Sequence, residues 1–224
     1  MKTIVALQLC FFFLFVSTAD AQIKKLYLEA GISANSYKGS LNEGFGNYSS
    51  SANVGLRFCK NNRLNGRINL SYGIIEGQSI GFSVKNRAGT IVYPINYFKT
   101  SLFTFDYTLN FNVISKKKYL IYLGAGLGII RFNVMDNDGN NLINNTNTRD
   151  DDEDYRSIAL SMPVFIGYNY IFKNDYRLGV QAQLLNPFTD YLDNTSKWSP
   201  YVTADNVLFV KFFVSVPISL SNTR

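Results

Sequence analysis

The chain has 224 residues, with 22 Lys plus Arg against 16 Asp plus Glu, no His and two Cys; 46% of it is apolar and 15% aromatic. That length fits one domain. The absent histidines exclude His-based triads, His-ligated zinc and histidine proton relays, and a single Cys beyond residue 21 excludes a thiolate cluster and an intramolecular disulfide. An enzyme is therefore disfavoured, no cofactor is implied, and no apolar stretch beyond the N-terminus reaches the roughly 20 residues of a membrane helix. A soluble β protein or a membrane β-barrel remains.

The N-terminus separates these two. Lys2 supplies a positive end, Ile4 to Val16 is almost wholly apolar with a Phe11-Phe12-Phe13 run, and Ala19-Asp20-Ala21 forms an A-x-A cleavage site before Gln22. Residues 1–21 read as a signal peptide and 22–224 as the mature domain, which places the protein outside the cytoplasm. Cys10 belongs to the discarded segment, and Cys59 remains as a lone thiol without a function. Removing 1–21 takes away one Lys and one Asp, so the net charge stays at +6.

From there the chain alternates with a period of two. Leu26, Leu28, Ala30, Ile32 and Ala34 oppose Tyr27, Glu29, Gly31 and Ser33; Ala52, Val54, Leu56 and Phe58 oppose Asn53, Gly55 and Arg57. Residues 64–74 place Ile68, Leu70, Tyr72 and Ile74 against Asn65, Arg67, Asn69 and Ser71, and 103–113 place Phe103, Phe105, Tyr107 and Leu109 against Thr104, Asp106 and Thr108. Tyr119 to Ile129 oppose Gly124, Gly126 and Gly128. Ile158 to Phe172, Tyr176 to Leu184 and Leu208 to Ile218 complete eight expected strands.

The connections alternate in length. Tight turns fall at Cys59 to Arg63, Ile114 to Lys118 and Lys173 to Asp175, while long polar segments run from Asn35 to Ser51, Ile75 to Thr100, Asn133 to Arg156 and Leu185 to Asp205. Short periplasmic turns, long external loops and both termini in the periplasm are the arrangement of an outer-membrane barrel. The expected fold is all-β: an eight-stranded antiparallel up-and-down transmembrane barrel. Phe58, Tyr119, Tyr170, Phe172 and Tyr176, all near the short turns, form the expected interfacial girdle toward the outer-membrane lipids.

Eight strands leave an interior about wide enough for side chains, which disfavours a diffusive pore. The inward faces carry Glu29 and Asp106 against Arg57, Arg67, Arg177 and Lys211, an expected structural ion network, because unpaired buried charge is costly. Gly124, Gly126 and Gly128 are expected to make room for neighbouring Arg and Tyr side chains. Asp136-Asn137-Asp138-Gly139-Asn140 with Asp150 to Asp154 suggests calcium, yet Gly139 is fourth from Asp136 and not sixth as in an EF-hand, so a solvated mobile loop is the better reading. Lys116-Lys117-Lys118 reads equally as a contact with anionic head groups or a partner and as a solvated turn. The dispersed cations give no sign of nucleic-acid binding.

Four segments resemble the PorG-type outer-membrane barrels of Bacteroidetes, a family with a DUF6089-like domain. They are Gly31 with Tyr37-Lys38-Gly39-Ser40-Leu41-Asn42, in which Ser40 stands where the family has Asp; Arg67 to Gly73 with Glu76-Gly77; Tyr122 to Asn133; and, most distinctive, Thr189-Asp190-Tyr191-Leu192-Asp193 continuing into Asn194-Thr195-Ser196 in the last long loop. The resemblance implies a non-enzymatic accessory of type IX secretion and gliding, coupling the outer membrane to a periplasmic ring lipoprotein and its partner. Contacts are then expected at the periplasmic turns, where Lys60, Arg63, Lys116, Lys117, Lys118 and Lys173 offer a basic surface. The alternative is a stand-alone small barrel for membrane integrity or surface contact, and a third reading is a His-free lipid-modifying enzyme.

Overall fold

Period-two alternation over stretches this long commits the backbone to extended strands with two chemically different faces. The computed structural model describes residues 25–42, 44–59, 63–78, 83–85, 90–92, 97–145, 155–195 and 205–218. Among them run β1 (Lys25–Lys38), β2 (Tyr48–Cys59), β3 (Leu64–Gln78), β4 (Val84–Lys85), β5 (Ile91–Val92), β6 (Tyr97–Ser115), β7 (Tyr119–Met135), β8 (Ile158–Ile171), β9 (Arg177–Pro187) and β10 (Asn206–Ile218). Eight of these close a barrel in the order β1-β10-β9-β8-β7-β6-β3-β2, every pair antiparallel. β1 meets β2 on one side and β10 on the other, so no barrel strand is left with an open edge. β4 and β5 form a separate small hairpin inside the connection between β3 and β6, a stretch expected to be loop throughout.

The short connections lie at one end of the barrel together with the outer ends of β1 and β10, where Leu26 pairs with Ile218. The long connections lie at the other end. Around the wall, from the turn end upward, Leu28, Ile32, Val54, Leu70, Phe105, Tyr107, Leu123, Leu127, Ile166 and Phe212 point outward and are exposed. Facing inward beneath them are Glu29, Ser33, Asn53, Arg57, Arg67, Asn69, Asp106, Asn110, Gln181 and Lys211, all buried. Apolar outside and polar inside is the inverse of a water-soluble sandwich, and it matches a wall in contact with lipid.

The strands continue past the borders expected from sequence, and there the pattern flips. β1 runs through Lys38, β3 through Gln78, β7 through Met135 and β9 through Pro187, while β6 already begins at Tyr97. In this upper storey the inward side chains are apolar: Tyr37, Ile75, Phe98, Leu102, Ile130, Phe132, Val134, Leu185, Val207 and Phe209 form one buried core. On β7 the outward positions change in step, from Leu127 and Ile129 to the exposed Arg131. On β3, β6, β7 and β9 the phase change is marked by two adjacent apolar residues, one facing out and the other facing in: Ile74-Ile75, Leu102-Phe103, Ile129-Ile130 and Leu184-Leu185. The physical reason is the change of solvent. A wall that leaves lipid and enters water must turn its apolar face inward. The segments beginning at Asn35, Ile75 and Leu185 and ending at Thr100 are therefore strand continuations where they were expected to be polar loop.

Candidate functional site

Two clusters of polar side chains occupy the interior. The lower one is centred on Glu29 of β1, which is fully buried and accepts from Ser215 of β10 at 3.0 Å. Arg57 Nε lies 2.8 Å from Glu29 Oε1, and Arg67 Nε lies 2.7 Å from Oε2. Both guanidinium groups also touch aromatic rings, Arg57 over Tyr122 at 4.7 Å and Arg67 over Phe213 at 5.2 Å, while Arg67 Nη1 donates to Gln181 at 2.6 Å. One carboxylate thus anchors two cations from two neighbouring strands. Asp106, Lys211 and Arg177 do not join it. Among the described residues they make no ion pair within 4 Å: Asp106 lies near the Thr104 hydroxyl, Lys211 faces the Phe209 ring, and the half-buried Arg177 stacks on Tyr27 at 3.9 Å. Of the six charges expected on the inward faces, the structure therefore brings Glu29, Arg57 and Arg67 into direct contact and leaves the other three without a direct ion pair among the described residues.

Toward the turn end the interior is closed by rings. Tyr27 and Tyr122 are buried there beside Leu120, while Phe165, edge-on to Tyr122 at 6.1 Å, and Phe213, two residues above the Ser215 that pairs with Glu29, lie further up the wall. Gly167 allows this, since a Cβ at that position would overlap the Tyr122 ring, whose hydroxyl is held by Gln181 at 3.0 Å. The glycines of β7 serve different neighbours from those expected: Gly124 lies under the Phe165 ring, Gly126 against Tyr107 and Thr108, and Gly128 against Asp106 and Ser161.

The upper cluster lies at the loop end and draws on the distinctive Thr189 to Asp193 segment. That segment is folded into the barrel mouth and not extended into solvent. Leu192, Asp193 and Asn194 are fully buried, with Tyr191 nearly so, and Tyr191 packs edge-on against Tyr155 at 5.3 Å, which in turn meets Phe132 at 6.2 Å. Thr189 and Asp190 lie at its entry, where the Thr189 hydroxyl accepts from the Tyr191 N–H at 3.3 Å. A turn closes between Tyr191 and Asn194 with Asn194 at φ 62°, a left-handed conformation that Asn adopts more readily than most residues. Its buried backbone is satisfied on both sides: the Leu192 N–H donates to Asp205 Oδ2 at 2.8 Å, and the Thr100 hydroxyl donates to the Leu192 carbonyl at 2.6 Å. Leu41 and Leu142, from two other connections, complete the plug.

Three polar groups sit at its centre. Tyr37 Oη lies 2.9 Å from Asp193 Oδ2 and 2.6 Å from Asp205 Oδ1. Asp193 also accepts from the Leu41 N–H at 3.1 Å and the Thr195 N–H at 2.9 Å. Burial pushes the Asp193 carboxyl up to about 6, and burial together with the charge of Asp193 holds Asp205 well above the ordinary carboxylate range. Thr100 and Asp205 were not singled out from the sequence, and Tyr37 entered only as part of the segment after β1 that carries the family resemblance, with no role of its own. The signal available was weak, a Tyr and an Asp at strand ends next to apolar doublets.

The remaining expected positions lie on the surface. Arg63, Lys116, Lys117, Lys118 and Lys173 are exposed at the turn end, and Lys60 lies outside the described residues. In the third long connection, between β7 and β8, the Asp136 carboxylate is taken up by its own turn, accepting from the N–H groups of Asp138 at 3.0 Å and Asn140 at 2.8 Å. These hydrogen bonds, with that of the Asn140 side chain foremost, hold its pKa below the ordinary Asp value. Asp150 to Asp154 lie outside the described residues. Among the described residues no group of three His, Cys, Asp or Glu side chains is arranged to hold a metal ion.

No protein-family model matches the chain, and no curated protein matches it in sequence. Solved structures do match in shape. The Neisserial surface protein A superposes with a TM-score of 0.54 at 13% identity, over 85% of this chain and 96% of its own. The fold is that of a small outer-membrane β-barrel. Ail, the attachment invasion locus protein of Yersinia pestis, aligns with a TM-score of 0.49 at 10% identity over 87% of this chain and 98% of its own. The N-terminal barrel domain of Pseudomonas aeruginosa OprF aligns with a TM-score of 0.42 at 11% identity, over 87% and 97% respectively.

Proposed function

We propose that this chain is an exported, non-catalytic outer-membrane barrel whose filled interior serves as a rigid stand, holding an ordered loop end at the cell surface for envelope integrity or surface contact. The observation that carries this reading is the filling of the interior: buried rings and the Glu29 ion pairs toward the turn end, and the apolar plug at the mouth. Side chains so placed speak against a passage for solutes or a cleft for substrate. The buried carboxylates at the mouth are engaged with Tyr37 and backbone amides, so they are already committed to structure. By the rule that short turns face the periplasm, the plugged mouth faces outward.

A second reading, the type IX secretion accessory implied by the resemblance to the PorG-type family, draws support from the exposed Arg63, Lys116, Lys117, Lys118 and Lys173 at the turn end. A basic rim there suits an acidic partner such as a periplasmic ring lipoprotein and its companion. One deletion strain tests both. Loss of the barrel with raised permeability to large antibiotics and unchanged type IX cargo in the medium supports the stand-alone role. Loss of secreted cargo, with a ring lipoprotein recovered on the tagged barrel from solubilised membranes, overturns it in favour of the second.

A further inference from the structure

The three groups at the mouth pose a problem of hydrogen counting. Tyr37 Oη is within hydrogen-bond reach of both Asp193 Oδ2 and Asp205 Oδ1, and a phenol has one hydrogen to give. The second contact therefore needs a hydrogen supplied by a carboxyl. Asp193 is the poorer proton holder, because its Oδ1 accepts the Thr195 N–H and its Oδ2 the Leu41 N–H. On Asp205 the Leu192 N–H takes Oδ2 and leaves Oδ1 for the hydrogen. The balanced arrangement is Asp205 donating to Tyr37 Oη and Tyr37 donating to Asp193. Gly39 keeps the three together, since a Cβ on it would overlap both Tyr37 Oη and Asp205 Oδ1.

We propose that this relay is a proton-operated latch on the mouth plug: with the Asp205 proton in place the 188–195 segment is locked into the barrel, and loss of protons from the pair releases it. The two carboxyls reach the plug from different points of the chain, Asp193 within its turn and Asp205 at the foot of β10, and Tyr37 ties both to β1. Once both are ionised, two negative charges face each other across a single phenol. Among the described residues Asp190, at the entry of the same connection, adds to the repulsion on Asp205. β6 contributes the Thr100 hydroxyl and the β1–β2 connection the Leu41 N–H. Among the described residues no Lys or Arg lies within 4 Å of either carboxylate to relieve the charge.

The direction in pH follows. Folded carboxyls that hold protons more tightly than an unfolded Asp contribute closure that is complete below about pH 4 and is lost as pH rises through the folded value. The protons of the coupled pair come off jointly, and with its Asp193 member raised to about 6 the open fraction grows about tenfold between pH 5 and pH 8. This inference rests on the filled-barrel reading but has its own test, since a barrel can be filled and still lack the latch.

The test is hydrogen exchange, read by mass spectrometry, on the mature barrel in lipid nanodiscs at pH 5 and pH 8, with intrinsic rates corrected. Peptides covering 189–195 are expected to exchange about tenfold faster or more at pH 8, while β7 peptides keep one protection level. Asp205→Asn, whose amide supplies a hydrogen at every pH, is expected to remove the response and keep the protection. Tyr37→Phe is expected to leave the segment unprotected at both values. A wild-type ratio near one, or an Asp205→Asn variant that responds as wild type does, overturns the latch. Should Asp205→Asn fail to show the heat-dependent gel shift of a folded barrel, the wild-type and Tyr37→Phe profiles decide between the same two outcomes.

Discussion

Glu29 is the residue on which the lower interior turns, because it is the one carboxylate shared by two buried guanidinium groups among the described residues. Glu29→Gln removes the charge and keeps the shape, leaving Arg57 and Arg67 buried with no compensating anion. Breaking a buried pair in this way costs about 3–5 kcal/mol, and urea unfolding of the barrel in lipid vesicles is expected to show a loss of that size. Loss under about 1 kcal/mol, the range of exposed pairs, would show that solvent reaches the pair. Gly39 plays a comparable part above. Gly39→Ala forces Tyr37 and Asp205 apart, and the expected result is loss of protection confined to 188–195 with the lower strands unaffected, read by the same exchange measurement.

At the scale of elements, the fourth long connection, between β9 and β10, behaves as a folded plug. Leu192→Ala removes a fully buried side chain from the apolar core of the mouth, at a cost of about 2–5 kcal/mol. Because the core belongs to the upper storey, the expected outcome is early proteolytic cleavage near residue 190 in a barrel that still resists heat and detergent; cleavage unchanged from wild type contradicts it. The eight strands were legible in the sequence because alternation is a local signal, each residue's face being set by its immediate neighbours. The pairing of Glu29 with two arginines was legible only as a set of charges on inward faces, since barrel closure decides which of them share a level. The plug was missed for another reason. Its burial comes from side chains distant in sequence, Tyr37, Thr100 and Leu142, and a polar stretch rich in Asp and Thr reads as loop when those partners are unknown. The apolar doublets Ile74-Ile75, Ile129-Ile130 and Leu184-Leu185 were the local trace of the upper storey, and a reading by strict alternation passes over them as breaks in the pattern.

At the scale of the molecule, one continuous wall faces two solvents, and the doublets mark the level at which it changes from one to the other. Arg substitutions along β7 test that division directly. At Leu123, outward and in the middle of the apolar belt, an Arg meets hydrocarbon and is expected to cost about 2–4 kcal/mol; at Ile129, the outward position just below the native Arg131, the cost falls to about 0–1 kcal/mol because the head groups are within reach. At Ile130, the next residue, the side chain points into the dry core with Leu102 and Phe132, and a cation there has no partner. Its cost is expected to exceed that at Leu123, since lipid lets a long side chain reach toward the interface and a packed core does not. Urea unfolding of the three variants in one lipid composition ranks them. The order Ile130, Leu123, Ile129 follows from a wall whose inside turns apolar above the membrane. A barrel with a polar lumen along its full height would accept the Ile130→Arg cation as it accepts Arg57, and would place Leu123 first.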